Sequence, residues 1–176
     1  DYSTALSCSG LNEKNVESCP LNDVVISEVT NKLSLANKCV LKGCSGSGKS
    51  LLTYQVAYSF YKQGYAIFKI YKESFSDHFT PVSPQAKSVL VIDDAQIVES
   101  KHLESILSSA HKDCLVLANW NSSTSIDDGF LRNYPVVEIS PESQVKILKV
   151  YCLKHKDQIS ETLKLIGLKS NKKDCH

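Results

Sequence analysis

Methionine is missing altogether, and arginine is nearly so: of 20 basic residues only Arg132 is not a lysine. Small-molecule and nucleotide kinases generally close several arginines over a transferred phosphate, because the guanidinium fork binds oxyanions in a fixed geometry. One arginine argues against that class. Glycine and proline total only 7 and 5 residues, which excludes a collagen-like or low-complexity chain. The 20 Lys and Arg nearly cancel 19 Asp and Glu, so nucleic acid is not indicated as a partner. No apolar run approaches the roughly 20 residues that span a bilayer, so no membrane is expected, and no signal peptide is visible.

Seven cysteines stand at 8, 19, 39, 44, 114, 152 and 175, an odd number with no Cys-x-x-Cys pair, and the five histidines are scattered. Neither a zinc site nor a disulfide scaffold is expected, and the cysteines fit a reducing, cytoplasmic compartment. Cys8 and Cys19 remain a possible pair for an exported chain. The absence of methionine, the first position included, points to a segment of something longer.

What is present is an ordinary globular composition: 176 residues, 42% hydrophobic, enough for one domain with a substantial core. Residues 1–20 are polar, without a steady period, and read as an extension or a first turn-rich element. From Asn22, a candidate cap, Val25, Val29 and Leu33 recur at helical spacing. Cys39-Val40-Leu41 is a short buried strand. Ser50 to Gln63 reads as a helix, with Leu52, Val56 and Phe60 on one face and Gly64 as its stop. Tyr65 to Tyr71 is a strand, 73–87 mostly loop, and Ser88 to Asp93 a central parallel strand. A helix over Lys101–His111, a strand over Cys114–Ala118, a polar loop over Asn119–Ser125 and a strand over Val136–Ile139 follow. Beyond Pro141 the pattern is helical, with Val145, Leu148 and Cys152 on one face and a second possible turn through Ile159, Leu163 and Ile166. This alternation predicts a parallel α/β sheet of about five strands followed by C-terminal helices.

One motif dominates. Residues 43–50 read Gly-Cys-Ser-Gly-Ser-Gly-Lys-Ser, a full match to GxxxxGK[ST], between an apolar strand and an amphipathic helix. Gly43, Gly46 and Gly48 let the backbone turn tightly and aim successive N–H groups at an anion. The helix that follows adds the positive end of its dipole. Lys49 supplies a point charge for the β- and γ-phosphates, and the Ser50 hydroxyl is a magnesium ligand. Cys44, Ser45 and Ser47 fill the loop and Leu51 follows it. Cys44 is either a small filler or a point of alkylation or oxidation.

Val89-Leu-Val-Ile-Asp93-Asp94 has the Walker B pattern, with Asp93 placed to hold magnesium through water. Asp94 has three readings: catalytic base, electrostatics of the nucleotide site, or loop solubility. Gln96 is a further group able to orient a water. Asn119, at the next strand end, is placed to reach between the γ-phosphate and that water, or is an ordinary turn-former. Trp120, the sole tryptophan, falls in the same loop. Arg132 precedes the last strand, as a nucleotide sensor, an arginine finger for a neighbouring subunit, or a structural ion pair.

Taken in this order, the motifs resemble the AAA-like branch of P-loop NTPases. The pairing of GCSGSGKS with VLVIDDAQ is similar to the STAND class of signal-transduction ATPases. The resemblance covers roughly residues 23–141 and implies a three-layer fold with strand order 5-1-4-3-2. It implies phosphate and metal roles for Gly43, Gly48, Lys49 and Ser50, magnesium for Asp93, the hydrolytic-acid position for Asp94 and the sensor position for Asn119. Only about 35 residues follow Pro141 and no Gly-x-Pro appears, which departs from the fuller lid and winged helix of that class. The chain therefore divides into an extension (1–22), a nucleotide-binding core (23–141) and a helical segment that begins a lid (142–176). The expected ligands are ATP and Mg²⁺, since no Asn-Lys-x-Asp guanine-reading motif is present. The expected function is an ATP-dependent switch coupled to further domains of the same chain or to a homo-oligomer. A non-hydrolysing nucleotide-binding module and a DNA-coupled ATPase are the alternatives.

Overall fold

The computed structural model describes residues 13–19, 22–70, 87–98, 100–109, 114–122 and 130–165. In chain order these form α1 (Glu13–Ser18), α2 (Asp23–Ala36), β1 (Lys38–Gly43), α3 (Lys49–Tyr61), β2 (Ala66–Ile70) and β3 (Ser88–Ile92). After a 3₁₀ turn (Ala95–Ile97) come α4 (Ser100–Ser109), β4 (Cys114–Asn121), a second 3₁₀ turn (Phe130–Asn133), β5 (Val136–Glu138), α5 (Pro141–Lys154) and α6 (Lys156–Leu165).

Local chemistry sets the helix ends. Asn22 caps α2, its Oδ1 accepting from the Val25 N–H at 3.3 Å. α3 stops where expected: Gly64 takes φ +85°, its N–H bonds to the Tyr61 carbonyl, and the Tyr65 N–H reaches back to Phe60. That pair of bonds needs a left-handed residue, and the Phe60 and Tyr65 rings meet edge-on at 5.2 Å beneath it.

The strands are parallel, in the order β2-β3-β4-β1-β5, which is the expected 5-1-4-3-2 read from the other edge. Successive residues of a strand face opposite sides, so the sheet carries two separate cores. On one side Leu41, Val89, Val91, Leu115 and Leu117 pack with α1, α2 and α3; on the other Val40, Ile92, Val116, Ala118 and Trp120 pack with Val98 and Leu103. The result is three layers, helix on sheet on helix. β5 is an edge strand, which lets Pro135 enter it without a donor; its carbonyl accepts from the Val40 N–H at 2.8 Å.

The structure departs from the sequence reading in four places. Residues 13–18 are helical, and Val16 is only 2% exposed in the core. α3 is buried on nearly every side from Leu52 to Ala57 rather than along one face, because α1 and α2 cover what the sheet does not. β4 runs on to Asn121 instead of ending at Ala118. Val145, Leu148 and Cys152 of α5 are all exposed. The loop expected over 73–87, Lys87 apart, the side chain of Leu163 and all of Ile166 lie outside the described residues, as does Cys8.

Burial pushes the Cys39 thiol up from 9.0 to about 12, with Lys32 opposing and Glu28 adding to the shift. The folded chain therefore keeps a proton that the unfolded chain releases above pH 9. The stability tied to that proton is whole below pH 9 and is lost as pH rises towards 12. Denaturant melts should lose about 1.4 kcal/mol per pH unit from this one group in that window. A Cys39→Ala variant should show the shallower slope, and equal slopes would refute the assignment.

Candidate functional site at the phosphate loop

The loop between β1 and α3 turns on two glycines with positive φ, Gly46 at 75° and Gly48 at 80°. Gly43 is required for a different reason: a Cβ there would stand 2.7 Å from Ser47 Oγ and 3.3 Å from Ile139 Cβ. Gly48 is the N-cap of α3 and gives no side-chain cap, so the first N–H groups of a 13-residue helix are open to an anion. Lys49 is 8% exposed and folds back along the loop, donating to the Cys44 carbonyl at 2.7 Å. Ser47 Oγ is buried without a partner among the described residues. Ser45 is exposed, Cys44 and Leu51 half-buried.

The register brings the other candidate residues to the same mouth. Ile92 pairs with Ala118 and Leu41 with Asn119, so Asp93 and Asn119 emerge side by side on the face that carries α3. Asn119 is 1% exposed. Its Nδ2 donates to Asp93 Oδ1 at 2.5 Å and its Oδ1 accepts from the Asp94 N–H at 2.8 Å. The Ser50 hydroxyl donates to the same Asp93 Oδ1 at 3.1 Å. A serine hydroxyl and a carboxylate form a hard-oxygen pair that suits magnesium, which takes one or two protein oxygens and completes its shell with phosphate and water. Among the described residues no group of three or more His, Cys, Asp or Glu is placed to hold a metal ion. The unpartnered Ser47 hydroxyl and the uncapped helix end fit a phosphate in the same way.

Asp94 follows in the left-handed region, φ 50° and ψ 47°, with its side chain exposed. Gln96 holds it there: Nε2 donates to Asp94 Oδ1 at 3.1 Å while Oε1 accepts from the Asn121 N–H at 3.1 Å. Gln96 is therefore a buried brace between β4 and Asp94, 7% exposed, rather than a group presented to water. Asn119 to Asn121 extends the strand by alternation: the asparagines turn to the site and Trp120 to the opposite core, at 3% exposure.

Arg132 is the candidate that the fold keeps apart. It precedes β5, which enters the sheet opposite Val40, at the end of the strands away from the phosphate loop. Its side chain is exposed, with no polar partner among the described residues. Lys69 was missed. It lies on β2 with Nζ 3.8 Å from Asp93 Oδ2. The signal for it was a lone lysine at the same parity as Ile67 in an otherwise apolar strand.

A phosphate loop feeding α3 from the central strand, with a carboxylate at the end of β3 and an amide at the end of β4, defines a P-loop NTPase domain of the AAA+/STAND-like kind. Residues 24–117 match the family described as Novel STAND NTPase 3, and the chain belongs to that family. No curated protein matches the sequence. Among solved structures, AMPPCP-bound DnaA from Aquifex aeolicus is similar over 92% of this chain and 67% of its own, at 20% identity and a TM-score of 0.55. The HORMA:CdnC:Trip13 complex of E. coli MS115-1 contains a chain similar over 80% of this one and 70% of its own, at 12% identity and 0.53. C. elegans PCH-2 matches over 70% of this chain at 13% identity and 0.50, and the chain spans only 45% of its length. These likenesses describe the fold. Among the described residues, no helix is long and apolar enough to cross a membrane.

Proposed function

We propose that this domain binds ATP with Mg²⁺ and hydrolyses it as a switch, passing its nucleotide state to further domains of the same chain or to neighbouring copies. The observation that carries the reading is the meeting of Ser50, Asp93 and Asn119 at the mouth of a phosphate loop whose helix end is uncapped. In this reading the loop backbone from Gly43 to Ser50 holds the phosphates, and Lys49 leaves the Cys44 carbonyl for the β- and γ-phosphate oxygens. Ser50 and Asp93 would hold the metal, which when bound supplies charge neutralisation for the β- and γ-oxygens. Asn119 fixes the Asp93 carboxylate and the Asp94 backbone at once, so metal ligand and base keep one spacing. Asp94 takes the proton of the attacking water. Arg132, remote from its own loop, is a candidate for acting on a neighbour's phosphate. The core over 23–141 carries the site, and 142–176 begins a helical lid. That AMPPCP, an ATP analogue, is bound by the similarly folded DnaA supports adenine as the base.

A non-hydrolysing binding module is the second reading, favoured by one observation: Asp94 is short and its Oδ1 is tied to Gln96. Titrating ATP and GTP with Mg²⁺ against wild-type and Lys49→Ala protein tests the common ground. A charged hydrogen bond to phosphate contributes about 1.5–3 kcal/mol, so Lys49→Ala should weaken ATP binding by roughly ten- to a hundredfold. ADP release on the same samples separates switch from module. Folded wild-type protein that binds neither nucleotide would overturn both.

A further inference from the structure

Asp93 carries two kinds of partner on its two oxygens. Oδ1 is filled by the Ser50 hydroxyl and the Asn119 amide. Oδ2 faces the ammonium of Lys69 at 3.8 Å, a pair whose side chains are only 10% and 18% exposed. Sheet register puts them together: Lys69 pairs with Val91, and Asp93 stands two residues beyond Val91 on the same face. Water screens such a pair poorly, so the attraction exceeds that of a surface ion pair. Lys69 belongs to neither the phosphate loop nor the Walker B segment.

We propose that Lys69 is a resident counter-ion of Asp93 that competes with the divalent cation for this carboxylate, and so sets the magnesium concentration at which nucleotide is held. The proposal rests on the nucleotide reading above and deepens it. An ammonium and a magnesium ion at one carboxylate repel each other. The free energy of the Lys69–Asp93 pair is therefore subtracted from whatever the metal gains at Ser50 and Asp93. The four-carbon stem of lysine allows the head to withdraw without moving β2, whereas its charge remains near the phosphates. Nucleotide binding without metal is thereby favoured and the metal-bound form is held back, which makes the site's occupancy graded in magnesium.

The test uses a fluorescent ATP analogue, mant-ATP, titrated with MgCl₂ and separately in EDTA, on the full chain. Lys69→Gln and Lys69→Met remove the charge, and Lys69→Arg keeps it. Circular dichroism melts establish that each is folded. Both neutral variants should reach half-saturation at about three- to tenfold lower Mg²⁺, the effect of losing one poorly screened ion pair. Their affinity in EDTA should be equal or weaker, and Lys69→Arg should follow wild type. An unshifted or raised magnesium midpoint in the neutral variants, or an equal fall in Lys69→Arg, overturns the proposal alone. Absence of mant-ATP binding by folded wild-type protein overturns the nucleotide reading and this proposal with it.

Discussion

Asp94→Asn is expected to bind ATP within about threefold of wild type while its hydrolysis slows by about 10²–10⁴-fold, the range a general base supplies. The substitution isolates the chemistry because it disturbs so little else. Asparagine tolerates the left-handed backbone found at this position, and its Oδ1 can still accept from Gln96 Nε2. The Asp94 N–H bond to Asn119 belongs to the backbone and is untouched. Single-turnover hydrolysis measured beside equilibrium binding gives both quantities. Equal turnover in variant and wild type would remove Asp94 from the role of base. A loss of binding in step with turnover would make it a binding residue.

Trp120→Ala should cost about 3–5 kcal/mol, a large part of the roughly 5–15 kcal/mol a domain of this size possesses. The indole is 3% exposed and belongs to the core on the sheet face opposite α3, the cluster that also holds Val40, Ile92, Val116 and Ala118. Urea unfolding followed by circular dichroism measures the loss, and Trp120→Phe should recover most of it. A cost below about 1 kcal/mol would mean that the site is far softer than its burial implies. The same placement makes the indole a reporter of unfolding rather than a group in the nucleotide mouth.

The phosphate loop, the Walker B strand and the alternation of strands with helices were legible because each depends on local order: glycines in register, four apolar residues before an acid, caps at Asn22 and Gly64. Strand order was legible through resemblance, since no local feature says which strands become neighbours. Other features needed the third dimension. Val16 looks like one apolar residue in a polar stretch until α3 is there to receive it. There the Gln55 amide lies 3.5 Å from the carbonyls of both Val16 and Cys19. The Asn119-Trp120-Asn121 alternation was visible, but asparagine's preference for turns hid it. Lys69 and Gln96 gain meaning only from pairing across strands, to Asp93 and to Asn121. Arg132 lies where its sequence position puts it, before β5, and the sheet's parallel sense then carries it away from the loop.

α3 begins at Lys49 and Ser50, and its far half carries Gln55 and Tyr58, whose hydroxyl bonds to Glu17 of α1. Thirteen residues of helix make a rod about 20 Å long. Buried on nearly every side from Leu52 to Ala57, that rod ties the phosphate loop at one end to α1 at the other. In mechanical terms the six-residue α1 sits where a follower sits on a pushrod, against the half of the helix that lies away from the loop.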